Sequence, residues 1–426
     1  MLELPPRPAP LAGRPLLLGL SGGLDSTALL HRLATAAHDG LRAIHVHHGL
    51  HPEADAWASH CRFLCAALDV RLDIVRVDVD RNAGRGIEAA ARDARRVAFA
   101  ATLGDGEVLV LAHHRDDQAE TFLLRALRGS GVDGLAAMRP WCDFARGWLW
   151  RPLLGMPRSQ LQDYAALHAL SWIEDPSNLD MALDRNFLRH QVLPLLRSRW
   201  PAADAAFARS ADLARQAGGL LDVEDERALE ALRCGHAGAI DIAALRGLPA
   251  SQQSRVLRRW VASLGLPPLP AQGIEQIRNA LFDARDDGNA EFAWAGAWVR
   301  RWRGALHAGR ARPPLPPDWR AEWSGRTPLP LPGGGTLRLV GAEGFEHPVV
   351  AIARSGGERI ALPGRAHTHA IKHVLQDMDV PPWRRSRVPL LVDREGHVMA
   401  AGDVVASGAF KAWLDARGAR LALDQA

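Results

Sequence analysis

Leu16-Leu17-Leu18-Gly19-Leu20-Ser21-Gly22-Gly23-Leu24-Asp25-Ser26 is the stretch on which the fold turns. Leu16 to Leu20 reads as a short buried strand, and the amphipathic pattern from Thr27 to Ala37 predicts a helix. Two glycines between them let the backbone approach a ligand closely. Ser21, Ser26 and the first amides of the helix then offer hydrogen-bond donors to an anion. Asp25 sharpens this reading. A carboxylate beside a phosphate is repulsive unless a divalent cation lies between them, and Mg2+ is bound through few carboxylates together with phosphate oxygens. The competing reading is a Gly-Gly turn with a serine-capped helix. A strand, S-G-G-x-D-S and a helix at the first strand-to-helix turn favour the nucleotide. Ser21, Gly22, Gly23, Leu24, Asp25 and Ser26 are therefore the expected nucleotide-binding residues, with Asp25 as the expected metal ligand.

The commoner phosphate loop is excluded by composition. Of 52 Lys+Arg residues only Lys372 and Lys411 are lysine. A G-x-x-x-x-G-K-[ST] loop needs lysine directly after glycine, and these two follow Ile371 and Phe410.

Working outward, strand patterns at Leu41–His47, Arg71–Val77 and Glu107–Leu111 alternate with helical patterns at about Asp55–Leu68, Gly86–Leu103 and Asp116–Arg128. That alternation predicts an α/β fold, a doubly wound parallel sheet with helices on both faces. The chain of 426 residues is long enough for two or three domains. A catalytic domain is expected over 1–216, a helical middle domain over 217–312 and a small α+β C-terminal domain over 313–426, the last beginning at the linker Arg312-Pro-Pro-Leu-Pro-Pro-Asp318. The first of these holds 25 basic and 25 acidic residues, so the formal net charge of +4 lies entirely in the two appendages. Four cysteines in so long a chain are too sparse for a disulfide framework, and no apolar run approaches the length of a membrane span. The N-terminus has no apolar signal core, so a cytoplasmic protein is expected. Gly84-Arg85-Gly86-Ile87-Glu88-Ala89 formally matches a dinucleotide fingerprint, but it follows a polar run and not a strand end, so it is read as a decoy.

The hexapeptide Ser21–Ser26 resembles the PP-loop of the N-type ATP pyrophosphatases, which cleave ATP between the α and β phosphates. Further segments narrow the resemblance: His45-Val-His47-His48-Gly49-Leu50, Gly86-Ile-Glu88-Ala-Ala-Ala-Arg92, His113-His114-Arg-Asp116-Asp117-Gln118-Ala-Glu120-Thr121, Trp172-Ile-Glu174-Asp175-Pro176-Ser177-Asn178 and Asp184-Arg185-Asn186-Phe187-Leu188-Arg189. Together these resemble the tRNA(Ile)-lysidine synthetase family in its long form. The likeness is dense from Leu16 to Pro201 and returns at Gly356–Gly364 and Ile371–Asp403. It implies ligation of L-lysine to C2 of the first anticodon cytidine (position 34) of tRNA(Ile) with a CAU anticodon. ATP and Mg2+ are consumed or required, an adenylated cytidine is the intermediate, and AMP and pyrophosphate are released. A homodimer is allowed for as a partner state.

The resemblance also assigns roles. Asp116, Asp117 and Glu120 open a helix and are expected to hold the lysine substrate, Asp117 and Glu120 as the pair, with His113 and His45 near the nucleotide. Acids in a first helical turn also merely offset the helix dipole, which is the bland alternative. Arg92 is expected to contact a phosphate of ATP or tRNA, since guanidinium forks suit phosphate oxygens; the alternative is a solvated helix face. Arg185, Asn186 and Arg189 are expected tRNA contacts on the strength of the resemblance. Trp383-Arg384-Arg385-Ser386-Arg387 combines charge with an aromatic ring and is expected to touch tRNA through Arg384, Arg385 and Arg387. Two other functions stay open: a PP-loop tRNA thiolation enzyme, which needs a C-x-x-C pair or a lone nucleophilic cysteine, and a non-catalytic ATP-binding tRNA-binding protein. Cys61 and Cys65, one helical turn apart in an apolar stretch, read as buried core.

Overall fold

The computed structural model describes residues 2–36, 40–79, 86–235, 238–285, 290–365 and 367–424. The chain divides into two compact units, Met1–Asp222 and Val223–Ala426.

In the first unit, six strands form one sheet: β1 (Leu16–Gly19), β2 (Leu41–His47), β3 (Arg71–Arg76), β4 (Val108–Val110), β5 (Trp141–Phe144) and β6 (Gly147–Trp150), in the order β3-β2-β1-β4-β6-β5. All neighbours are parallel except the β5–β6 hairpin. The alternation of side chains along β1 explains why both faces are covered. Leu16 and Leu18 face one layer with α1 (Leu24–Thr35), α2 (Ala54–Ala67) and α6 (Arg158–Leu167). Leu17 faces the other, together with Ile44, Leu109 and Phe99 of α3 (Ile87–Thr102). The doubly wound parallel sheet expected from the alternation is present. The hairpin Trp141–Trp150, for which the sequence reading had no strand, extends the sheet beyond β4. Gly84 and Arg85 of the fingerprint-like run lie outside the described residues, as does Ala37, the expected end of the first helix.

Strand order positions the site. The chain steps from β1 outward to β2 and β3, then returns across β1 to β4. The order reverses between β1 and β4, and in open α/β sheets the crevice beyond the carboxyl ends at such a reversal is where ligands bind. Two segments open into it, Leu20–Gly23 after β1 and Leu111–His114 after β4. Helix α4 (Arg115–Leu127) leads away from the second; α5 (Val132–Leu135), α6, α7 (Asp184–Phe187), a π turn over Leu188–Val192, α8 (Leu193–Arg199) and α9 (Ala203–Leu232) complete the order.

The second unit carries the helical segments expected before residue 312, with one addition. Helices α10 (Ile242–Gly247), α11 (Ala250–Ser263) and α12 (Ala271–Gln276) pack on a four-stranded antiparallel sheet of β7 (Ile240–Asp241), β8 (Glu291–Trp294), β9 (Ala297–Trp302) and β10 (Ala305–Arg310). Trp260, Val256, Val299 and Leu306 are its fully covered centre. The sheet escapes a reading that weighs helical periodicity, because its strands are short and joined by tight turns at Gly296 and Gly304, both at positive φ. Beyond the proline linker, strands and short helices form an α+β arrangement with a seven-stranded and a three-stranded sheet.

Candidate active site

The loop after β1 is folded by its own serines. The Ser21 amide donates to Ser26 Oγ at 3.2 Å, the two hydroxyls lie 3.0 Å apart, and the Gly23 amide donates to Ser21 Oγ at 3.3 Å. Ser26 Oγ in turn lies 3.1 Å from the Gly23 carbonyl. Gly22 sits at φ +86°, and a Cβ there would meet Ile173 Cδ1 at 2.7 Å, so both conformation and space demand glycine. Gly23 precedes α1 without a side-chain cap, which leaves the helix N-terminus, with its partial positive charge, facing the crevice. Beneath the loop, the buried His45 places Nδ1 2.9 Å from the Leu20 carbonyl and 3.4 Å from Cys61 Sγ. It ties β2 to the start of the loop, and burial lowers its pKa, keeping it neutral.

Asp25, in the first turn of α1, points across to α4. Its Oδ2 lies 3.6 Å from His114 Nε2, and Arg158 Nε lies 3.8 Å from Oδ1. Oδ1 is buried and accepts no hydrogen bond among the described residues. A buried carboxylate oxygen without a donor is a natural seat for a cation, so the residues present fit Mg2+.

His114 joins the two halves of the crevice. As N-cap of α4 it forms a capping box: its Nδ1 accepts from the Asp117 amide at 3.4 Å, while Asp117 Oδ2 accepts from the His114 amide at 3.0 Å. With Nδ1 accepting, the proton belongs on Nε2, which faces both Asp25 Oδ2 and, at 3.4 Å, Asp117 Oδ2. Desolvation opposes the imidazolium, but the hydrogen bond to Asp25 and the charges of Asp117, Asp25 and Asp116 outweigh it and raise the pKa. Its neighbour His113 accepts from Arg151 Nε at 3.2 Å; desolvation, against the pull of Asp117 and aided by Arg151 and Arg185, pushes it down to about 3.

Asp117 and Glu120 lie together and are not free. Arg185 donates from Nε to Glu120 Oε2 at 2.6 Å and from Nη2 to Asp117 Oδ1 at 2.7 Å. Arg189 donates from Nε to Glu120 Oε1 at 2.6 Å, and from Nη2 to Glu120 Oε2 at 3.0 Å and Asp117 Oδ1 at 3.1 Å. Desolvation alone would raise the Asp117 pKa, yet His114 and Arg185 hold it below its ordinary value. Both guanidiniums are disfavoured by burial but are held charged by the two acids. Asp116 faces elsewhere: it accepts from the Arg158 amide at 3.2 Å and pairs with Arg197 at 3.3 Å.

Family models match the chain in three places: a PP-loop domain over residues 7–196, a TilS substrate binding domain over 240–307 and a TilS substrate C-terminal domain over 350–423. Curated relatives match along nearly the whole length. The tRNA(Ile)-lysidine synthase of Xanthomonas axonopodis pv. citri (strain 306) is 53% identical over 412 residues, covering 96% of this chain and 93% of that protein. That of Xylella fastidiosa (strain 9a5c) is 53% identical over 420 residues, covering 97% and 95%. That of Methylococcus capsulatus (strain Bath) is 40% identical over 397 residues, covering 90% of each.

The chain belongs to the tRNA(Ile)-lysidine synthase family.

Within this family frame the remaining expected residues take different positions. Arg92 is exposed on α3 and forms no ion pair among the described residues. Its charge depresses the pKa values of Arg125 and Arg151, where desolvation is the larger cause, so several guanidiniums share this side of the sheet. Asn186 is buried and donates to the carbonyls of Ser177 and Asp180, both at 2.9 Å, so that its amide shapes the 177–180 turn. In the second unit, Trp383 is packed against Trp298, Trp302 and His307, with Arg300 over the rings of Trp298 and Trp383. That ring is therefore not an open stacking platform for a base. Arg385 donates to the Val380 carbonyl at 2.7 Å and Arg387 to that of Gly334 at 3.3 Å, and Arg384 carries a buried Nε. These internal anchors accompany the tRNA contact expected of this run. His114, Arg151 and Arg158 are the site residues that the sequence reading did not single out. The available signal for His114 was its place directly before the helix, where a side chain folds back onto the first-turn amides.

Proposed function

We propose that this chain makes lysidine: it uses ATP to join L-lysine to C2 of the first anticodon cytidine of tRNA(Ile) bearing CAU, releasing AMP and pyrophosphate. The observation that carries the reading is the meeting of a PP-loop aspartate and Asp117, one of a buried acidic pair, at one histidine, in a chain related along its length to lysidine synthases. Cytosine O2 attacks the α-phosphate and pyrophosphate leaves; the lysine ε-amine then attacks C2 of the adenylated cytidine and AMP departs.

The loop amides, Ser21 and Ser26 would receive the phosphates, and Arg92 would add a guanidinium on the same side. Asp25 would hold Mg2+, which when bound offsets phosphate charge that the carboxylate would otherwise repel. His114 holds Asp25 and Asp117 in fixed relation. Asp117 and Glu120 would bind the lysine ammonium, and a carboxylate that binds an ammonium also stands where its proton must go before attack. Arg185 and Arg189 would border RNA phosphate, Arg189 after release from these acids, and Arg384, Arg385 and Arg387 would add contacts from the C-terminal part. Three domains divided near 216 and 312, a cytoplasmic setting and a homodimer remain part of this reading.

None of the four cysteines, Cys61, Cys65, Cys142 and Cys234, forms the C-x-x-C pair that a thiolating chemistry would use. Cys61 and Cys65 are buried in α2, with thiols pushed up to about 12 and about 11 chiefly by desolvation, and their spacing is not C-x-x-C. The test is incorporation of labelled lysine into a CAU-bearing isoleucine tRNA with ATP and Mg2+, pyrophosphate being followed in parallel. Pyrophosphate release with sulfur transfer and no lysine incorporation would overturn the assignment.

A further inference from the structure

The acidic pair already carries its full complement of positive charge. Asp117 and Glu120 supply two negative charges, and Arg185 and Arg189 lie on them with five contacts between 2.6 and 3.1 Å. Glu120 is 1% exposed, so the pair sits where an excess charge is strongly disfavoured. Adding a lysine ammonium to this arrangement would leave one cation too many. Exchanging it for one guanidinium would leave the charge of the site unchanged.

We propose that Arg189 is an internal stand-in for the substrate ammonium, and that lysine binds by displacing it from Glu120 while Arg185 stays. This rests on the reading of Asp117 and Glu120 as the lysine pair.

Two observations choose Arg189, and a third marks Glu120 as the acid that it leaves. Its contact to Asp117 is the longer of the two arginines' contacts, 3.1 Å against 2.7 Å for Arg185. It lies on the π turn Leu188–Val192, whereas Arg185 lies on the preceding α-turn. π turns are locally wider than α-helix, are uncommon, and concentrate at functional sites, where a change of hydrogen-bond register moves a side chain without unfolding its helix. The two acids are also anchored unequally. Asp117 is held by the His114 amide at 3.0 Å, independently of the arginines. The only hydrogen bonds to the Glu120 carboxylate among the described residues come from Arg185 and Arg189. Glu120 is thus the acid whose orientation is free to follow a new cation. Arg189 acts as a positioning residue: it keeps Glu120 turned into the site and screened until an ammonium of the right reach replaces it. The displaced guanidinium then faces ligands that are themselves anionic, a triphosphate and an RNA backbone.

Two measurements on the full-length chain decide this. In steady-state assays with ATP and tRNA, Arg189→Gln should lower the lysine KM roughly tenfold, the equivalent of removing one competing charge-assisted hydrogen bond. Glu120→Gln should raise the lysine KM. If Glu120→Gln leaves that KM unchanged, the lysine-pair reading fails and the exchange with it. If Glu120→Gln raises KM but Arg189→Gln leaves it unchanged or raises it too, the exchange alone is overturned. Because removing a buried charge partner risks misfolding, the second measurement uses the wild-type chain. Adding L-lysine should accelerate amide hydrogen exchange across residues 184–192. Unchanged or slower exchange there would mean that the arginine stays in place.

Discussion

Asp25 and His114 come from different strand-and-helix units, and their side chains meet because β1 and β4 are neighbours in the sheet. Asp25 is the residue whose chemistry depends most on that meeting, since one oxygen faces His114 and the other is buried without a hydrogen bond among the described residues. Asp25→Asn keeps the shape and removes the charge. It should reduce pyrophosphate release about a hundredfold, the scale of removing one electrostatic group from a reacting centre, with the melting temperature little changed. His113 gives a pH prediction. Its folded pKa, about 3, lies below the unfolded value near 6.5, so the unfolded chain binds the extra proton in that interval. Stability is therefore fully present above about pH 6.5 and declines as pH falls towards 3. His114 has the opposite sign: its raised pKa adds stability below the unfolded value and loses it as pH rises through the folded one. His113→Gln retains an acceptor for Arg151 but does not titrate. Melting curves between about pH 7 and pH 5 should show a shallower loss in this variant than in the wild type.

At the scale of elements, the site is a pair of helix N-termini aimed at one crevice. Helix α1 begins at a bare glycine and α4 at a histidine capping box, so one end is left open for an anion and the other is closed by protein groups. Gly22→Ala tests the first. Left-handed backbone costs a non-glycine residue about 1–2 kcal/mol, and the added methyl would press on Ile173 at 2.7 Å. The variant should lose at least that much stability in urea unfolding and bind ATP more weakly, as the loop shifts off the helix end. The loop and α4 were both legible in the sequence because their signals are local: glycine spacing, apolar runs and acids in a first turn. The β5–β6 hairpin and the middle sheet were not, because their short strands are specified by pairing partners distant in the chain.

At the scale of the whole molecule, the second unit sets Trp383 against Trp298, Trp302 and His307. Trp383→Ala should destabilise this unit by roughly 2–4 kcal/mol, towards the low end for a tryptophan that is only partly buried. Limited proteolysis should then cut near the proline linker 312–318. Deleting residues 313–426 should weaken tRNA binding while the first unit retains its thermal transition. Unchanged tRNA affinity in a filter-binding or gel-shift titration would remove the C-terminal part from the docking role.

By itself the sequence determined the α/β class, the PP-loop, the absence of a lysine-based phosphate loop and the run of acids at the head of α4, because each is written in short-range spacing or in composition. Which cations those acids meet was decided only by tertiary structure. Arg185 and Arg189 sit far along the chain from Asp117 and Glu120, and a run of D-R-N-F-L-R looks equally suited to RNA phosphate or to a buried carboxylate. Packing brings α7 and the π turn against α4 and desolvates the four groups together, so that charge neutrality, and not local pattern, fixes their partners. The same reason separates Trp383 from the solvent-facing role its neighbours suggested: a ring beside arginines reads alike on a surface and in a contact, until the fold places three other rings against it.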